Sequence, residues 1–268
     1  MKSLPHFFRF ATALIVAAAA VTAIHVPAGA QSVAQTHSCF APGEFVRLDN
    51  PLRRVARQIA NGHPVKIVAI GSSSTAGAGA SSPANSYPSR LAVELKALFP
   101  NVPINVINRG VGGEEARDML ARFDRDVFAD APDLVIWQVG SNSVLRDRPL
   151  TEANGSLREG LKRLKAADAD VILMNPQYAP KVIAKHEAER MVDLIDATAR
   201  EAHVDLFQRF AVMRFWRLTE DVPFTAFVSA DGLHMNDWSY GCIAKLLALA
   251  ISEAVNRPTV TATARGRR

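Results

Sequence analysis

Side chains able to do chemistry recur in this sequence where short apolar runs end. The run VKIVAI stops at Gly71, and Ser72-Ser73-Ser74-Thr75-Ala76-Gly77 follows. A second run leads into Asn108-Arg109-Gly110-Val111-Gly112-Gly113, and a third into Gly140-Ser141-Asn142-Ser143. After the fifth run a longer segment reaches Asp231-Gly232-Leu233-His234. A hydroxyl, glycine backbone, a carboxamide and an Asp/His pair are the parts of an acyl-transfer site. A serine hydroxyl is a poor nucleophile until a histidine accepts its proton, and that histidine needs an acceptor to fix its tautomer and stabilise the imidazolium. Charge developing on the acyl oxygen needs preorganised N–H donors, which glycine backbone and a neutral asparagine supply. Taken singly, each block also suits a turn or a helix cap.

For these segments to meet, the runs before them must lie side by side. Five apolar, β-branched runs stand out, at residues 65–70, 104–107, 134–139, 171–174 and 204–207. Segments with helical spacing separate them, at residues 89–98, 114–128, 154–167 and 186–202, and a final helix at 240–255 is apolar nearly all round. Strands alternating with helices predict an α/β fold with a parallel sheet covered on both faces. Sites in such sheets lie beyond the C-terminal ends of the strands, where the blocks above fall. No long linker or repeat divides the chain, so a single domain over residues 31–258 is expected, with a flexible basic tail at 259–268.

The four blocks, in this order, resemble those of the SGNH hydrolase family, also called GDSL-like esterases, and the resemblance spans essentially the whole domain. The family's G-D-S-x-T-x-G block matches Gly71 to Gly77, its N-x-G-x-x-G block Asn108 to Gly113, its G-x-N-D block Gly140 to Ser143, and its D-x-x-H block Asp231 to His234. The resemblance implies that Ser73 is the nucleophile, His234 the base and Asp231 the triad acid. It implies an oxyanion hole made by the N–H groups of Ser73 and Gly113 and the amide of Asn142. It also implies a three-layer α/β/α fold around a five-stranded parallel sheet in flavodoxin-like order, with no metal or cofactor. Two residues depart from the pattern: Ser72 replaces the aspartate of G-D-S, and Ser143 replaces the aspartate after Asn142. Nucleotide-site motifs are not met, since Ala76 stands where a P-loop needs glycine and Ser82 where a dinucleotide fingerprint does.

Other residues near the blocks carry two readings each. Arg109 either meets an acidic substrate or forms a structural salt bridge. Tyr178, after the fourth run, either stacks on a sugar or acyl group or serves its loop. Trp137 and Trp238 read as packing residues, and the remaining histidines as surface residues.

The N-terminus has the layout of a secretory signal peptide over residues 1–30. Lys2 and Arg9 precede an apolar run at 11–26, and Ala28-Gly29-Ala30 offers a cleavage site. The run is short for a membrane span, which needs about 20 residues. No other segment reads as long and apolar enough to cross a membrane. An exported protein, periplasmic or extracellular, is therefore expected. The formal charge is +5, and losing Lys2 and Arg9 leaves 5 − 2 = +3. The basic residues are scattered, which argues against a nucleic-acid partner. Cys39 and Cys242 either pair, tying the start of the domain to its last helix, or remain separate thiols.

The expected partner is a small-molecule or glycan ester. Without a long apolar lid segment for a lipid chain, a short acyl group is favoured, acetyl on carbohydrate foremost. Acyl transfer to a sugar hydroxyl, lysophospholipid or thioester hydrolysis, and a non-catalytic glycan-binding module are the alternatives. The oligomeric state is not legible.

Overall fold

The computed structural model describes residues 37–257, so the expected signal peptide and basic tail lie outside the described residues. Five strands, β1 (Val65–Gly71), β2 (Ile104–Gly110), β3 (Leu134–Gln138), β4 (Asp170–Met174) and β5 (Asp205–Phe207), form one sheet in the order β2-β1-β3-β4-β5. All four pairings are parallel. The order reverses between β1 and β3, which makes the crevice beyond their C-terminal ends the expected ligand site. The longer helices are α1 (Arg53–Ala60), α2 (Tyr87–Leu98), α3 (Ala116–Ala121), α4 (Leu150–Ala166), α5 (Ala188–Ala202), α6 (Arg209–Leu218) and α7 (Asp237–Asn256).

Strand periodicity explains why the runs are apolar at consecutive positions. Successive side chains point to opposite faces, and here both faces are covered. Val65, Ile67 and Ala69 of β1, with Leu134 and Ile136 of β3, join one core, together with Leu91 of α2, Trp216 of α6 and Leu247 of α7. Val68 and Ile70, with Val135 and Trp137, join the other, together with Met119 of α3, Leu161 of α4 and Ile195 of α5. The result is the expected three-layer α/β/α arrangement. Trp137 is a core residue, packed so tightly on α4 that a Cβ on Gly160 would lie 2.2 Å from its ring.

Three expectations need correction. The helix expected over residues 114–128 breaks into α3, a short turn at Phe123–Asp126 and a 3-10 turn at Phe128–Asp130. The break falls at Arg122 (φ −115°, ψ 9°), whose buried guanidinium donates to the carbonyl oxygens of Gly71 and Arg109 and pairs with Glu114 and Asp126. Satisfying those strand-end carbonyls takes precedence over helix continuity. Helices α1 and α6 were not anticipated. Finally, α7 is long and apolar enough to cross a membrane, with 20 residues and a mean hydropathy of 1.3. Its apolar side chains, among them Ile243, Leu247 and Ile251, are instead buried in the first core. Cys242 on α7 forms a disulfide with Cys39, with Cα atoms 5.4 Å apart, which settles the cysteine question in favour of pairing.

Candidate active site

The turn after β1 exists because its neighbours are small. A Cβ on Gly71 would stand 2.1 Å from Thr75 Oγ1, and one on Gly110 would stand 2.1 Å from the Ala76 nitrogen. Without side chains there, the short helical turn Ser73–Ala76 can lie directly on the ends of β1 and β2. Gly77 closes it at φ 99°, a conformation that suits glycine. Asn108 ties the turn to β2: its Nδ2 donates to Thr75 O at 2.9 Å and its Oδ1 accepts from Gly110 N at 2.9 Å. Ser72 is buried, and its N–H and hydroxyl both donate to Gln138 Oε1, at 2.9 and 3.0 Å. A neutral hydroxyl–carboxamide pair thus occupies the position of the missing aspartate.

Ser73, His234 and Asp231 are brought together in one hydrogen-bonded chain. Ser73 Oγ lies 2.8 Å from His234 Nε2, and His234 Nδ1 lies 2.5 Å from Asp231 Oδ2. The other Asp231 oxygen accepts from the backbone N–H groups of Leu233 and His234 and from the Ser229 hydroxyl, at 2.8, 2.9 and 2.7 Å. Partial burial works against its ionisation, but the hydrogen bonds from the His234 ring, the His234 and Leu233 backbone and Ser229 outweigh it. They hold the carboxyl well below the usual carboxylate range. A carboxylate facing Nδ1 places the ring proton there and leaves Nε2 as the acceptor for the Ser73 hydroxyl.

The blocks after β2 and β3 adjoin the serine. A Cβ on Gly112 would lie 3.9 Å from that of Ser73, and Gly113 adopts φ 81°. Asn142 commits one amide hydrogen to Glu114 O at 2.8 Å, which fixes its side chain against the glycine block. Ser143 is buried and reaches Glu115 Oε2 at 3.4 Å. Glu115, two residues past the glycine block at the start of α3, supplies a buried carboxylate that the third block lacks. It also binds Arg146 and Arg148, at 2.7 and 3.3 Å.

Gln177, just beyond β4, connects the loops of the site. Its Oε1 accepts from Ser141 Oγ at 2.8 Å, Arg209 Nη2 at 3.0 Å and Ser74 Oγ at 3.4 Å. Its Nε2 donates to Leu233 O at 3.2 Å. One buried carboxamide therefore touches the serine turn, the asparagine turn and the histidine loop. Arg209 can only donate, which fixes the amide orientation. Burial lowers the Arg209 pKa to about 10, so it remains charged at neutral pH. Its Nη1 has no partner among the described residues. A fully buried glutamine or arginine after a strand would have been a signal, but burial is not readable from residue type alone.

The Ala-, Gly-, Ser- and Pro-rich stretch after the turn is an ordered clamp. Tyr240 donates to Ala78 O at 2.7 Å, and Ser81 binds Asp237 through its N–H and hydroxyl, at 2.7 and 2.5 Å. Gly79 (φ 88°) sits against the histidine loop, where a Cβ would meet Met235 O at 2.4 Å and His234 Cβ at 2.9 Å. Arg109 takes its structural reading, paired with Asp130 at 2.8 Å. Tyr178 packs between Phe210 and Phe224, and Trp238 against Trp216. A cavity of about 690 Å³, lined by Val65, Lys66, Lys96 and Ile104, lies at the opposite, N-terminal ends of β1 and β2. Among the described residues, no group of three or more His, Cys, Asp or Glu side chains is placed to hold a metal ion.

Residues 38–257 match the sequence model of the Non-GDSL lipase-like family. The chain belongs to that family. An acetylxylan esterase of Geobacillus stearothermophilus is 36% identical to this Non-GDSL lipase-like chain over 94 residues, which is 31% of the chain and 43% of that protein. The match therefore spans less than half the length of that relative. An arylesterase of Vibrio mimicus is 26% identical over 163 residues, 61% of the chain and 76% of that protein. Among solved structures, LAE5, an alpha/beta hydrolase enzyme from the metagenome of Lake Arreo, superposes with a TM-score of 0.60 at 25% identity, over 73% of the chain and 99% of its own. A two-domain esterase active on acetylated mannans superposes with a TM-score of 0.68 at 19% identity, over 80% of the chain and 56% of its own, a likeness of fold.

Proposed function

We propose that this chain is an exported serine esterase that removes short acyl groups, acetyl foremost, from carbohydrate. The observation that carries the reading is the Ser73–His234–Asp231 chain at the C-terminal ends of the strands. Ser73 Oγ attacks the ester carbonyl while His234 Nε2 takes its proton. The N–H groups of Ser73 and Gly113 and the free amide hydrogen of Asn142 stabilise the oxyanion. The intermediate then collapses, the C–O bond to the alcohol breaks, and His234 returns its proton to the departing oxygen. Water, deprotonated by His234, attacks the acyl-enzyme and releases the acid.

The carbohydrate part rests on the relatives, one an acetylxylan esterase and another a solved esterase active on acetylated mannans. The export part rests on the layout of residues 1–30, and the Cys39–Cys242 disulfide suits an oxidising compartment. Purified Ser73→Ala should lose at least about 10³-fold in kcat on a short-chain aryl ester and resist fluorophosphonate labelling. Unchanged turnover in that variant refutes the reading.

A further inference from the structure

Arg146 lies one helical turn beyond Asn142, and its N–H donates to Asn142 O at 3.0 Å. Residues four apart on a helical turn share a face, so the arginine rises beside the expected oxyanion asparagine. Its Nη2 stands 3.4 Å from the point a Cβ on Gly113 would occupy. Its Nη1 is anchored on Glu115 Oε1 at 2.7 Å, and that carboxylate is only 6% exposed. The Arg146 side chain itself is 45% exposed. One end of the guanidinium is thus held on a buried post while the other stands next to Gly113 on a half-exposed side chain.

Arg146 shares its carboxylate partner. Arg148 reaches the same Glu115 oxygen at 3.3 Å, so two guanidinium groups share one carboxylate. Of the neighbouring carboxylates, Glu114 pairs with Arg122 at 2.7 Å and Asp147 with Lys185 at 2.5 Å, while Glu152 lines the same small cavity as Arg148 and Glu115 without an ion pair to either arginine. No second carboxylate lies within ion-pair distance of Arg146 among the described residues. A preoriented guanidinium edge that no second carboxylate occupies matches a planar carboxylate, which it binds through paired N–H donors.

We infer that Arg146 forms a subsite for a carboxylate carried by the substrate beside the reacting ester. The inference rests on the esterase reading and narrows its substrate class to acidic esters. The carboxylate belongs either to the alcohol side, as a uronate in an acetylated acidic glycan, or to the acyl side, as the free end of a dicarboxylic hemiester.

Two matched pairs of substrates separate the sources. One is an O-acetylated methyl glucuronoside against its uronate methyl ester; the other is 4-nitrophenyl hemisuccinate against 4-nitrophenyl butyrate. The wild type should favour the charged member of one pair, and that pair names the source. Arg146→Gln should lower the charged-to-neutral ratio of kcat/KM about tenfold, mostly through KM, as loss of one partly exposed charge-assisted contact predicts. Arg146→Lys should retain part of the preference, and added salt should erode it. No preference in the wild type, or an equal fall on both members in Arg146→Gln, overturns the subsite and leaves Arg146 a support of the oxyanion loop. A binding readout separates this outcome from failure of the esterase reading. In Ser73→Ala, glucuronate or succinate should bind by calorimetry, and binding should vanish in Ser73→Ala/Arg146→Gln. Carboxylate binding without any ester hydrolysis by the wild type would sink the esterase reading alone. Absence of carboxylate binding beside normal hydrolysis would sink the subsite alone.

Discussion

If the esterase reading holds, replacing Gly79 by alanine should slow ester turnover without removing any group that takes part in the chemistry. A Cβ there would sit 2.4 Å from Met235 O and 2.9 Å from His234 Cβ. Parting the first contact to 3.0 Å, the least that real Cβ atoms show, needs 3.0 − 2.4 = 0.6 Å of movement. The Gly79 side cannot yield freely, because Tyr240 holds Ala78 and Asp237 holds Ser81. The movement therefore falls on the histidine loop. Added along the 2.8 Å contact of Ser73 with His234, it gives 2.8 + 0.6 = 3.4 Å, near the limit of a useful hydrogen bond. Misplacement on the 1 Å scale costs roughly 10²-fold in rate, so kcat on an aryl acetate should fall about 10- to 100-fold with little change in KM. The positive φ adds about 1 kcal/mol of strain for a residue with a Cβ, or about 2–4 °C in Tm for a domain of this size. Gly155→Ala is the control: it lies on α4 with nothing within 4 Å of its Cβ, and should keep full activity with unchanged or higher Tm. A Gly79→Ala enzyme with wild-type kcat would refute the claim that this contact sets the position of His234.

Gln177→Glu keeps the acceptor for Arg209 and gives that buried cation a counter-charge, yet removes the N–H donated to Leu233 O. Its Tm should hold or rise while kcat falls about tenfold; parallel loss of both would mark a purely structural role. Burial, reinforced by the nearby Asp205 charge and opposed by the Val55 and Arg54 N–H groups, raises the Asp170 pKa from 3.8 to about 6. Between those values the folded protein binds the extra proton, so stability falls as pH rises through that window. Asp170→Asn should match the wild type near pH 4 and exceed it at pH 8, by at most about 3 kcal/mol; a pH-independent difference in denaturant midpoints would contradict this. The Cys39–Cys242 bond closes a loop with a sequence separation of 203. Cys39→Ser should lower stability by up to about 5 kcal/mol on chain-entropy grounds, read as a fall in Tm that reducing agent reproduces in the wild type. An unaltered Tm would show that the first segment stays docked without it.

The strands were legible because both faces of the sheet are apolar, so 65–70 and 134–139 read as nearly continuous apolar runs, each with one polar residue, Lys66 and Gln138. Three of the four blocks were legible because each falls where such a run ends, and the Asp231-to-His234 block by its order after them. The roles of Ser73, Asp231 and His234 came from the resemblance that all four blocks carry together, and the three side chains lie in one hydrogen-bonded chain. The contacts that steady them were not legible, because they depend on burial and on partners far along the chain. Gln177 is an ordinary polar residue in sequence and meets Ser74 only across 103 positions. Arg209, at the start of α6, is a charged residue that the fold buries completely, which its type does not announce. The helix break at Arg122 was invisible for the same reason: its cause is a pair of carbonyls on two other strands.

The serine and the histidine that face each other are 161 positions apart, and α7 begins three residues after that histidine. Each half of the site is locally well formed, yet neither has a working geometry until the last helix seats against the rest. Ester turnover is thus a gauge of a late, long-range docking event rather than of helix or strand content. In refolding from denaturant with the disulfide intact, circular dichroism should recover before activity does.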